Sequence, residues 1–388
     1  MNGLVLEVKG SFRELFGCDP EVVVRAPGRV NLIGEHTDYN EGFVMPVAID
    51  RFIAMAASRS EGDEVELYSI DYASYVRFPI SRIEYDPENH WSNYFKGVVY
   101  HLRQQGYKLG GCRVVFQGDI PQGAGLGSSA ALEVASALTL KSLFALSIPE
   151  RELIRLCQRA ENEFVGVRCG IMDQFVSCLA RKGRALFLDC RELSYRHLPF
   201  LGEFLVLICN TMVRRELASS QYNIRRGECE AGVRILAQKL PGIIALRDVT
   251  LNDFFQHRHL LPRVVAKRCL HVIKENQRVL EGAEALKKGD MLAFGRLMHL
   301  SHYSLKEDYE VSCPELDCMV EIAESTEGVV GARMTGAGFG GCTVNIVRRD
   351  KAVLARRSIS LRYKREMGVK PEIYLSSPAG GALEELSL

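Results

Sequence analysis

The chain lacks the features that mark secreted, membrane-spanning and structural zinc proteins. Its first residues, MNGLVLEVKG, contain no basic segment followed by a long apolar stretch, and no apolar run approaches the length of a membrane span. Twelve cysteines are present without a CxxC pair, so the usual ligand spacing of a structural zinc site is missing. These absences predict a cytoplasmic protein.

The charge balance excludes further classes of partner. A formal net charge of +1 argues against nucleic acid or an anionic membrane as the main partner. A basic stretch at residues 263–274 is interpreted as a solvated helix face rather than a nucleic-acid patch. The cysteines are scattered beside apolar residues, as in Leu156–Cys157 and Ile208–Cys209, which is typical of buried, reduced thiols.

The length of 388 residues allows two domains, although no repeat, low-complexity tract or Pro/Gly/Ser linker marks a boundary. A more helical region over residues 220–324 comes after a first part that alternates strands and helices, which predicts a boundary near residue 200. The clearest predictions are strands at residues 112–116 and 203–209, and helices at residues 129–146 and 150–164. No exposed apolar stripe is expected, which predicts a monomer.

The first motif lies between residues 22 and 50, where two apolar runs, 22–26 and 43–56, are predicted strands. The segment between them is predicted to be a loop, and it carries the polar residues Glu35, His36, Thr37 and Asp38. Two carboxylates, a hydroxyl and an imidazole suit a ligand with several hydroxyl groups. The alternative is a solvated turn, which Arg29 disfavours because its neighbours are apolar.

The second motif, GDIPQGAGLGSSAA at residues 118–131, lies between a predicted strand and a predicted helix. Its glycines allow backbone N–H groups to converge on a phosphate at the positive end of the helix. The Walker A lysine is missing, and the dinucleotide spacing fits poorly, since it ends at Ser128 or Ala130. Ser128 and Ser129 are candidates to cap the helix, bind phosphate or ligate magnesium, and a plain tight turn remains the alternative.

The third motif, GARMTGAGFGGCTVNIV at residues 331–347, has glycines at G-x-G-x-x-G spacing. Its last residues, 342–347, are a predicted strand, whereas a dinucleotide site needs a helix there. The motif is therefore either a tight connection or a second backbone wall beside the same ligand.

A fourth segment, CGIMDQ at residues 169–174, carries Asp173 among apolar neighbours. A desolvated carboxylate needs a cationic partner to stay ionised at neutral pH, and Arg29 is the candidate. Such a pair would form a base beside a substrate hydroxyl. The alternative is that Asp173 caps a helix.

These motifs, in this order, resemble the GHMP small-molecule kinases, and the first resembles the galactokinase signature. Gly127 stands where galactokinases often carry serine, and Gln221 where glutamate commonly precedes the tyrosine. The matching segments are GRVNLIGEHTDYNEG at 28–42, GAGLGSSAALEVASAL at 123–138, CGIMDQ at 169–174, RRELASSQYNIRR at 214–226 and MTGAGFGG at 334–341.

The resemblance implies an α+β fold of two domains, residues 1–200 and 201–388, with the active site in the cleft between them. It implies ATP-dependent phosphorylation of the anomeric hydroxyl of α-D-galactose, the first step of the Leloir pathway. Galactose, ATP and Mg²⁺ are the implied ligands, with neither nucleic acid nor membrane as a partner.

The resemblance also implies residue roles. Asp173 would accept the hydroxyl proton, and Arg29 would orient that carboxylate and stabilise the moving phosphoryl group. Magnesium would be held by Ser129 and Glu161. The implied sugar ligands are Glu35, His36, Thr37, Asp38 and Tyr222, and the implied nucleotide contacts are Ser69, Gly123, Ala124, Gly125, Leu126, Gly127, Ser128 and Ser129.

Two rival functions stay open. A related sugar kinase acting on N-acetylgalactosamine, arabinose or galacturonate would keep the phosphate-binding residues and differ around the sugar. A sensor that binds galactose and ATP without catalysis would be favoured by a damaged Arg29–Asp173 pair or an insertion in the phosphate loop, and this sequence has neither.

Overall fold

Three β-sheets organise the computed structural model, which describes residues 3–213 and 218–385. The six-stranded sheet has the order β13-β1-β3-β6-β4-β5, the four-stranded sheet β10-β11-β9-β12, and the three-stranded sheet β2-β7-β8. The strands are β1 Val22–Asn31, β2 Phe43–Val44, β3 Pro46–Arg59, β4 Glu64–Ser69, β5 Ser74–Pro79, β6 Cys112–Gly118, β7 Arg184–Asp189, β8 Tyr195–Pro199, β9 Phe204–Asn210, β10 Val329–Met334, β11 Cys342–Arg348, β12 Glu372–Ser376 and β13 Leu383–Glu384.

Helices cover the sheets and fill most of the region after β9. The α-helices are α1 Gly3–Phe16, α2 Ser92–Gln104, α3 Ser128–Leu143, α4 Glu150–Arg159, α5 Met172–Leu179, α6 Ala218–Leu236, α7 Leu251–His257, α8 Arg263–Lys288, α9 Met291–Glu307, α10 Pro314–Glu324 and α11 Ala352–Met367. A π-helix, Ala160–Val165, continues α4, and short 3₁₀ helices span Asp38–Asn40, Leu246–Asp248 and Arg258–Leu260. Among the described residues, no helix is both long and apolar enough to cross a membrane.

The first sheet is buried on both faces because its strands alternate between two apolar layers. Val23 of β1 packs with α1, whereas Val22 and Val24 face the main core. That core also takes in side chains of β9, α8 and β11, including Val206 and Val279. The two halves of the chain therefore share one continuous apolar interior.

Strand β1 is longer than the sequence predicted. Its pairing with β3 shifts register between Pro27 and Arg29 and then resumes, with Arg29 opposite Ala48. The prediction that the loop starts after residue 26 was wrong, since Pro27 still pairs with Phe52 and the irregularity falls at Gly28. Arg29 consequently projects from a strand, a more rigid base than a loop.

The basic stretch at residues 263–274 also differs from the prediction. It lies in α8, where Arg268 and His271 are buried rather than solvated. Arg268 donates to the carboxylates of Glu228 and Glu310 and to the carbonyl of Asp308. Because these partners come from other segments of the chain, the local charge run could not reveal them.

Three connections lie at the functional end of the fold. We call residues 32–42 the first loop, residues 119–127 the glycine loop and residues 335–341 the third loop. The domain boundary near residue 200 stays a prediction. In chain order, β8 is the last strand of the three-stranded sheet and β9 is the first strand of the four-stranded sheet. Strand β13, near the end of the chain, pairs with β1 of the six-stranded sheet.

Candidate active site

The centre of the site is an ion pair between β1 and the first turn of α5. Arg29 Nε donates to Asp173 Oδ1 at 2.7 Å, and Arg29 Nη2 donates to Asp173 Oδ2, so the two planar groups meet in a fork. The remaining nitrogen, Nη1, donates to the carbonyl of Gly125 at 2.5 Å. The pair spans 144 residues of sequence and joins a strand, a helix and the glycine loop.

Arg29 keeps its charge despite burial. Burial alone would lower the pKa of the guanidinium, but the carboxylate of Asp173 offsets this, with smaller contributions from Glu35 and Asp38, and the pKa is raised. A permanent positive charge thus faces Asp173 in a partly desolvated site.

A cavity of about 290 Å³ opens beside this pair. It is walled by the first loop, by α5 with the segment before it, and by Gly336 and Ala337 of the third loop. Eight residues predicted from the sequence line it, namely Arg29, Glu35, His36, Asp38, Ser129, Glu161, Asp173 and Tyr222. Residues 214–217 of the RRELASSQYNIRR segment lie outside the described residues.

Thr37 is the one predicted sugar ligand outside the lining of this cavity. Its hydroxyl donates to the carbonyls of Gly34 and Phe43, at 2.8 and 2.6 Å. It therefore closes the first loop upon itself, and its direct contact with a sugar stays a prediction.

Glu35 lines the cavity but also ties the first loop to the third. Its carboxylate accepts from Gly336 N–H at 2.7 Å, from the Thr335 hydroxyl at 3.0 Å and from Asn31 Nδ2 at 3.2 Å. Arg333, whose side chain is fully buried, donates to the Asn31 carbonyl at 2.8 Å. The third loop thus provides a backbone wall, one of the two interpretations that the sequence left open.

Asp38 reaches the cavity because Gly170 has no side chain. A Cβ on Gly170 would lie 1.9 Å from Asp38 Oδ2. Burial raises the pKa of Asp38 to about 7, and the charge of Asp173 adds to the rise. Asp38 is consequently an acid that titrates near neutral pH.

His36 is held by an aromatic cluster behind the first loop. Its Nδ1 bonds the Tyr39 hydroxyl at 2.8 Å, and that hydroxyl bonds Tyr309 at 2.7 Å. The His36 ring also contacts the rings of Tyr222 and Tyr309, with centroids 5.7 and 4.7 Å away. Burial lowers the pKa of His36 well below its usual value, aided by His271 and Arg225, so the imidazole is neutral. Sequence reasoning missed Tyr309.

Helix α8 supports the backbone of the first loop and was also missed. The Gly34 N–H donates to Glu275 at 2.8 Å, and the Phe43 N–H donates to Asn276 at 2.9 Å. His271 Nε2 donates to the Glu35 carbonyl at 3.2 Å. The available signal was helical spacing, because His271 and Glu275 are one turn apart between apolar neighbours.

The backbone of the glycine loop has the conformations that its glycines allow, and its binding of phosphate stays a prediction. Gly123, Gly125 and Gly127 have φ values of 68°, 75° and 74°, a left-handed conformation that glycine adopts readily. Gly127 is the N-cap of α3 and offers no capping side chain, so the positive end of the helix is open to an anion. The backbone N–H of Arg29 donates to the Leu126 carbonyl at 2.8 Å and fixes the loop beside the ion pair.

Ser129 and Glu161 line the cavity where α3 meets the π-helix. Burial raises the pKa of Glu161, the charge of Asp173 adds to it, and hydrogen bonds from Cys169, Ser129 and Gln174 oppose it. A hydroxyl and a carboxylate are oxygen donors of the kind Mg²⁺ prefers, so the pair fits this ion when phosphate oxygens complete the shell. The described residues contain no cluster of three or more His, Cys, Asp or Glu suited to a metal.

Gln174 and Glu133 form a buried support that the sequence did not reveal. Gln174 Nε2 donates to Glu161 Oε2 at 2.7 Å and to Glu133 Oε2 at 2.9 Å. Both Gln174 and Glu133 are fully buried, and burial raises the pKa of Glu133 well above its usual value. The burial of Glu133, one turn beyond Ser129, thus favours its protonated form.

A second cavity, of about 310 Å³, lies on the other side of Ser129. Its walls include Gly123, Tyr72 and Trp91, and the rings of Tyr72 and Trp91 stack at 5.9 Å with an interplanar angle of 9°. Ser69, the predicted nucleotide contact on β4, lies outside the lining of both cavities and is fully buried. Its hydroxyl accepts from the Tyr72 N–H at 3.4 Å, so it supports this aromatic wall.

Three family models match the chain. A galactokinase galactose-binding signature covers residues 10–59, a GHMP kinase N-terminal domain residues 93–181, and a GHMP kinase C-terminal domain residues 283–365. The first loop, the glycine loop and α5 lie within the first two matches.

Whole-length relatives agree with these models. The galactokinase of Roseiflexus sp. (strain RS-1) is 47% identical over 97% of this chain and 96% of its own length. That of Staphylococcus carnosus is 42% identical over 96% and 97%. The crystal structure of Lactococcus lactis galactokinase complexed with galactose superposes with a TM-score of 0.93 and 36% identity, covering 97% of this chain and 99% of that one.

A mevalonate kinase structure, 20% identical with a TM-score of 0.65, shares the fold alone. These matches confirm the two-domain α+β fold that the resemblance implied. The chain belongs to the galactokinase family of GHMP kinases.

Proposed function

We propose that this chain transfers the γ-phosphoryl group of ATP to the anomeric hydroxyl of α-D-galactose, giving galactose 1-phosphate and ADP. This is the first step of the Leloir pathway. The observation that carries the proposal is the Arg29–Asp173 fork, which lies between a polar cavity and a glycine loop at a helix N-terminus.

Galactose occupies the cavity of about 290 Å³. Asp38 accepts a sugar hydroxyl, while neutral His36 and Tyr222 provide further polar and aromatic contacts from the same wall. Glu35 is already engaged by the third loop, so it shapes the site as much as it binds sugar. Thr37 acts through the closure of the first loop.

Asp173 accepts the proton of the attacking hydroxyl. The sugar oxygen bonds to the γ-phosphorus, the bond from that phosphorus to the bridging oxygen breaks, and ADP leaves with the electron pair. Arg29 holds the carboxylate in one orientation and places positive charge beside the moving group. Positioning and charge neutralisation are the main contributions a protein can make to this reaction.

The triphosphate lies along the glycine loop, with backbone N–H groups at Gly123–Ser129 and the dipole of α3 facing the phosphates. Ser129 and Glu161 would hold Mg²⁺, which when bound neutralises phosphate charge. The adenine base of ATP fits the second cavity, where Tyr72 and Trp91 form an aromatic wall.

We also propose a cytoplasmic location, supported by buried thiols such as Cys157 and Cys209. The monomeric state remains a proposal as well, although the expectation that no apolar stripe is exposed was wrong. Leu292, Leu300 and Tyr303 of α9 are 62%, 51% and 60% exposed. Sedimentation at several concentrations tests the monomer.

ADP release with Mg-ATP and each of galactose, glucose, N-acetylgalactosamine and arabinose tests the function. Turnover on galactose well above the others is expected. A faster reaction on another sugar would make the chain a related kinase of different specificity. Saturable galactose binding without turnover on any sugar would identify the sensor and overturn the proposal.

A further inference from the structure

Two arginine–aspartate forks cross between the β7–β8 turn and the 3₁₀ helix Leu246–Asp248. Arg191 of the turn donates to both carboxylate oxygens of Asp248, at 2.7 and 2.9 Å. In the opposite direction, Arg247 donates to both oxygens of Asp189, one of them at 2.8 Å. Each segment supplies one arginine and one aspartate, so the two segments are locked reciprocally.

The same two arginines hold the end of the first loop. Arg191 Nε donates to the Glu41 carboxylate at 2.6 Å, and Arg247 Nη1 donates to the Glu41 carbonyl at 3.0 Å. The Arg247 guanidinium also lies 4.4 Å from the centre of the Phe43 ring. Glu41 has a φ of 55°, a left-handed conformation that a non-glycine residue keeps only when its surroundings enforce it.

These forks are better shielded than ordinary surface ion pairs. The side chains of Arg247 and Asp189 are 18% and 11% exposed, and those of Arg191 and Asp248 are 23% and 21% exposed. Hydrogen bonds from Arg191 lower the pKa of Asp248 to about 2. Burial raises the pKa of Asp189, but its hydrogen bonds, first that from Arg247, outweigh burial and lower it. Both aspartates therefore favour the ionised form that the forks need.

None of the four side chains lines either cavity. Glu41, however, lies three residues after Asp38 and directly follows the 3₁₀ helix Asp38–Asn40. The position of Glu41 therefore affects the position of Asp38. The Glu41 N–H donates to the Asp38 carbonyl at 3.3 Å.

We propose that Arg191, Arg247, Asp189 and Asp248 form a clamp that positions the first loop and thereby sets the affinity for the sugar, without a part in nucleotide binding. The clamp rests on the proposed function, since it concerns galactose at the same site. Its four members are positioning residues.

Steady-state kinetics of Arg247→Gln, Asp189→Asn and the double variant test the clamp. Each single variant is expected to raise the KM for galactose about tenfold, with kcat and the KM for ATP within about twofold of wild type. The double variant should show about the same rise as Arg247→Gln alone, because Arg247→Gln already removes the fork with Asp189. Arg247→Lys, which keeps the charge, should give a smaller rise.

Arg348→Gln is the matched control, because Arg348 forms a similar fork with Asp350 at an exposed site. It is expected to leave both KM values unchanged. An unchanged KM for galactose in folded Arg247→Gln, or equal rises in both KM values, would overturn the clamp. Should Arg247→Gln fail to fold, Asp189→Asn decides by the same criteria. Wild-type turnover on galactose separately tests the proposed function.

Discussion

The first loop and the glycine loop line adjoining parts of the site but are built in opposite ways. In the first loop Glu35, His36 and Thr37 are 3%, 4% and 0% exposed, and α8 and the third loop bind its backbone and side chains. In the glycine loop Gln122 and Gly123 are exposed, and the carbonyls of Gly125 and Leu126 accept from Arg29.

The two loops differ in when the part of the site that each one lines becomes ordered: the first loop lines the sugar half and the glycine loop the nucleotide half. Polar groups of the first loop already have protein partners, so a sugar enters a formed cavity at small conformational cost. On the proposed function, the N–H groups of the glycine loop bind the nucleotide phosphates, so the nucleotide completes that part of the site. Changes in the first loop should therefore affect sugar binding through packing, whereas changes in the glycine loop should affect nucleotide binding through backbone conformation.

The largest effect is expected at the ion pair that joins both halves. Asp173→Asn removes the proton acceptor while keeping the shape of the side chain, so kcat should fall by at least about a thousandfold. Galactose binding, measured by calorimetry, should stay within a few-fold of wild type. Retained turnover would remove Asp173 from the role of base.

Gly170→Ala tests how tightly the sugar half is packed. The new Cβ would displace Asp38, so the KM for galactose should rise about a hundredfold, with the KM for ATP nearly unchanged. Gly202→Ala is the control, since no heavy atom lies within 4 Å of a Cβ there. A normal KM for galactose in Gly170→Ala would show that the first loop is more pliable than its contacts indicate.

The titration of Asp38 should make galactose binding depend on pH. Its pKa of about 7 lies above that of an unfolded aspartate, so the protonated form, a weaker acceptor for a sugar hydroxyl than the carboxylate, dominates below pH 7. Galactose affinity should therefore rise about tenfold from pH 6 to pH 8. Asp38→Asn should abolish this dependence, and calorimetry with galactose alone avoids the titration of ATP.

The same titration has a consequence for stability. Because folding raises this pKa, the contribution of Asp38 to the free energy of unfolding is present below the unfolded pKa and is lost as pH rises through about 7. Denaturant unfolding should therefore show that the free energy of unfolding of the wild type falls relative to that of Asp38→Asn as pH rises toward 7. Parallel pH profiles would contradict the raised pKa.

The smallest effect is expected in the glycine loop. Gly123 has a φ of 68° and open space around its Cβ position, so Gly123→Ala adds only backbone strain. The KM for ATP should rise about fivefold and the KM for galactose should not change. Gly242→Ala, at a φ of 90° with open space and away from both cavities, is the matched control.

Several parts of the fold and site were predictable because their signals are local. The strands at β6 and β9 and the glycines of the three motifs are explained by apolar runs and turn chemistry. Other parts were wrong or missed. Strand β1 continued through Pro27 because pairing with β3 resumed beyond the irregularity, and the buried basic residues of α8 were expected in solvent because their partners lie in other segments.

By itself the sequence determined which polar and glycine-rich segments the chain carries and which family it belongs to, since these depend on residue types at short spacing. The sequence named Arg29 as the candidate partner of Asp173, and the structure shows that pair. Only the tertiary structure decided that Asp38 faces the cavity while Thr37 turns away, and that α8 supports the first loop. Contacts between residues far apart in the chain depend on how the elements pack, and no local pattern records that packing.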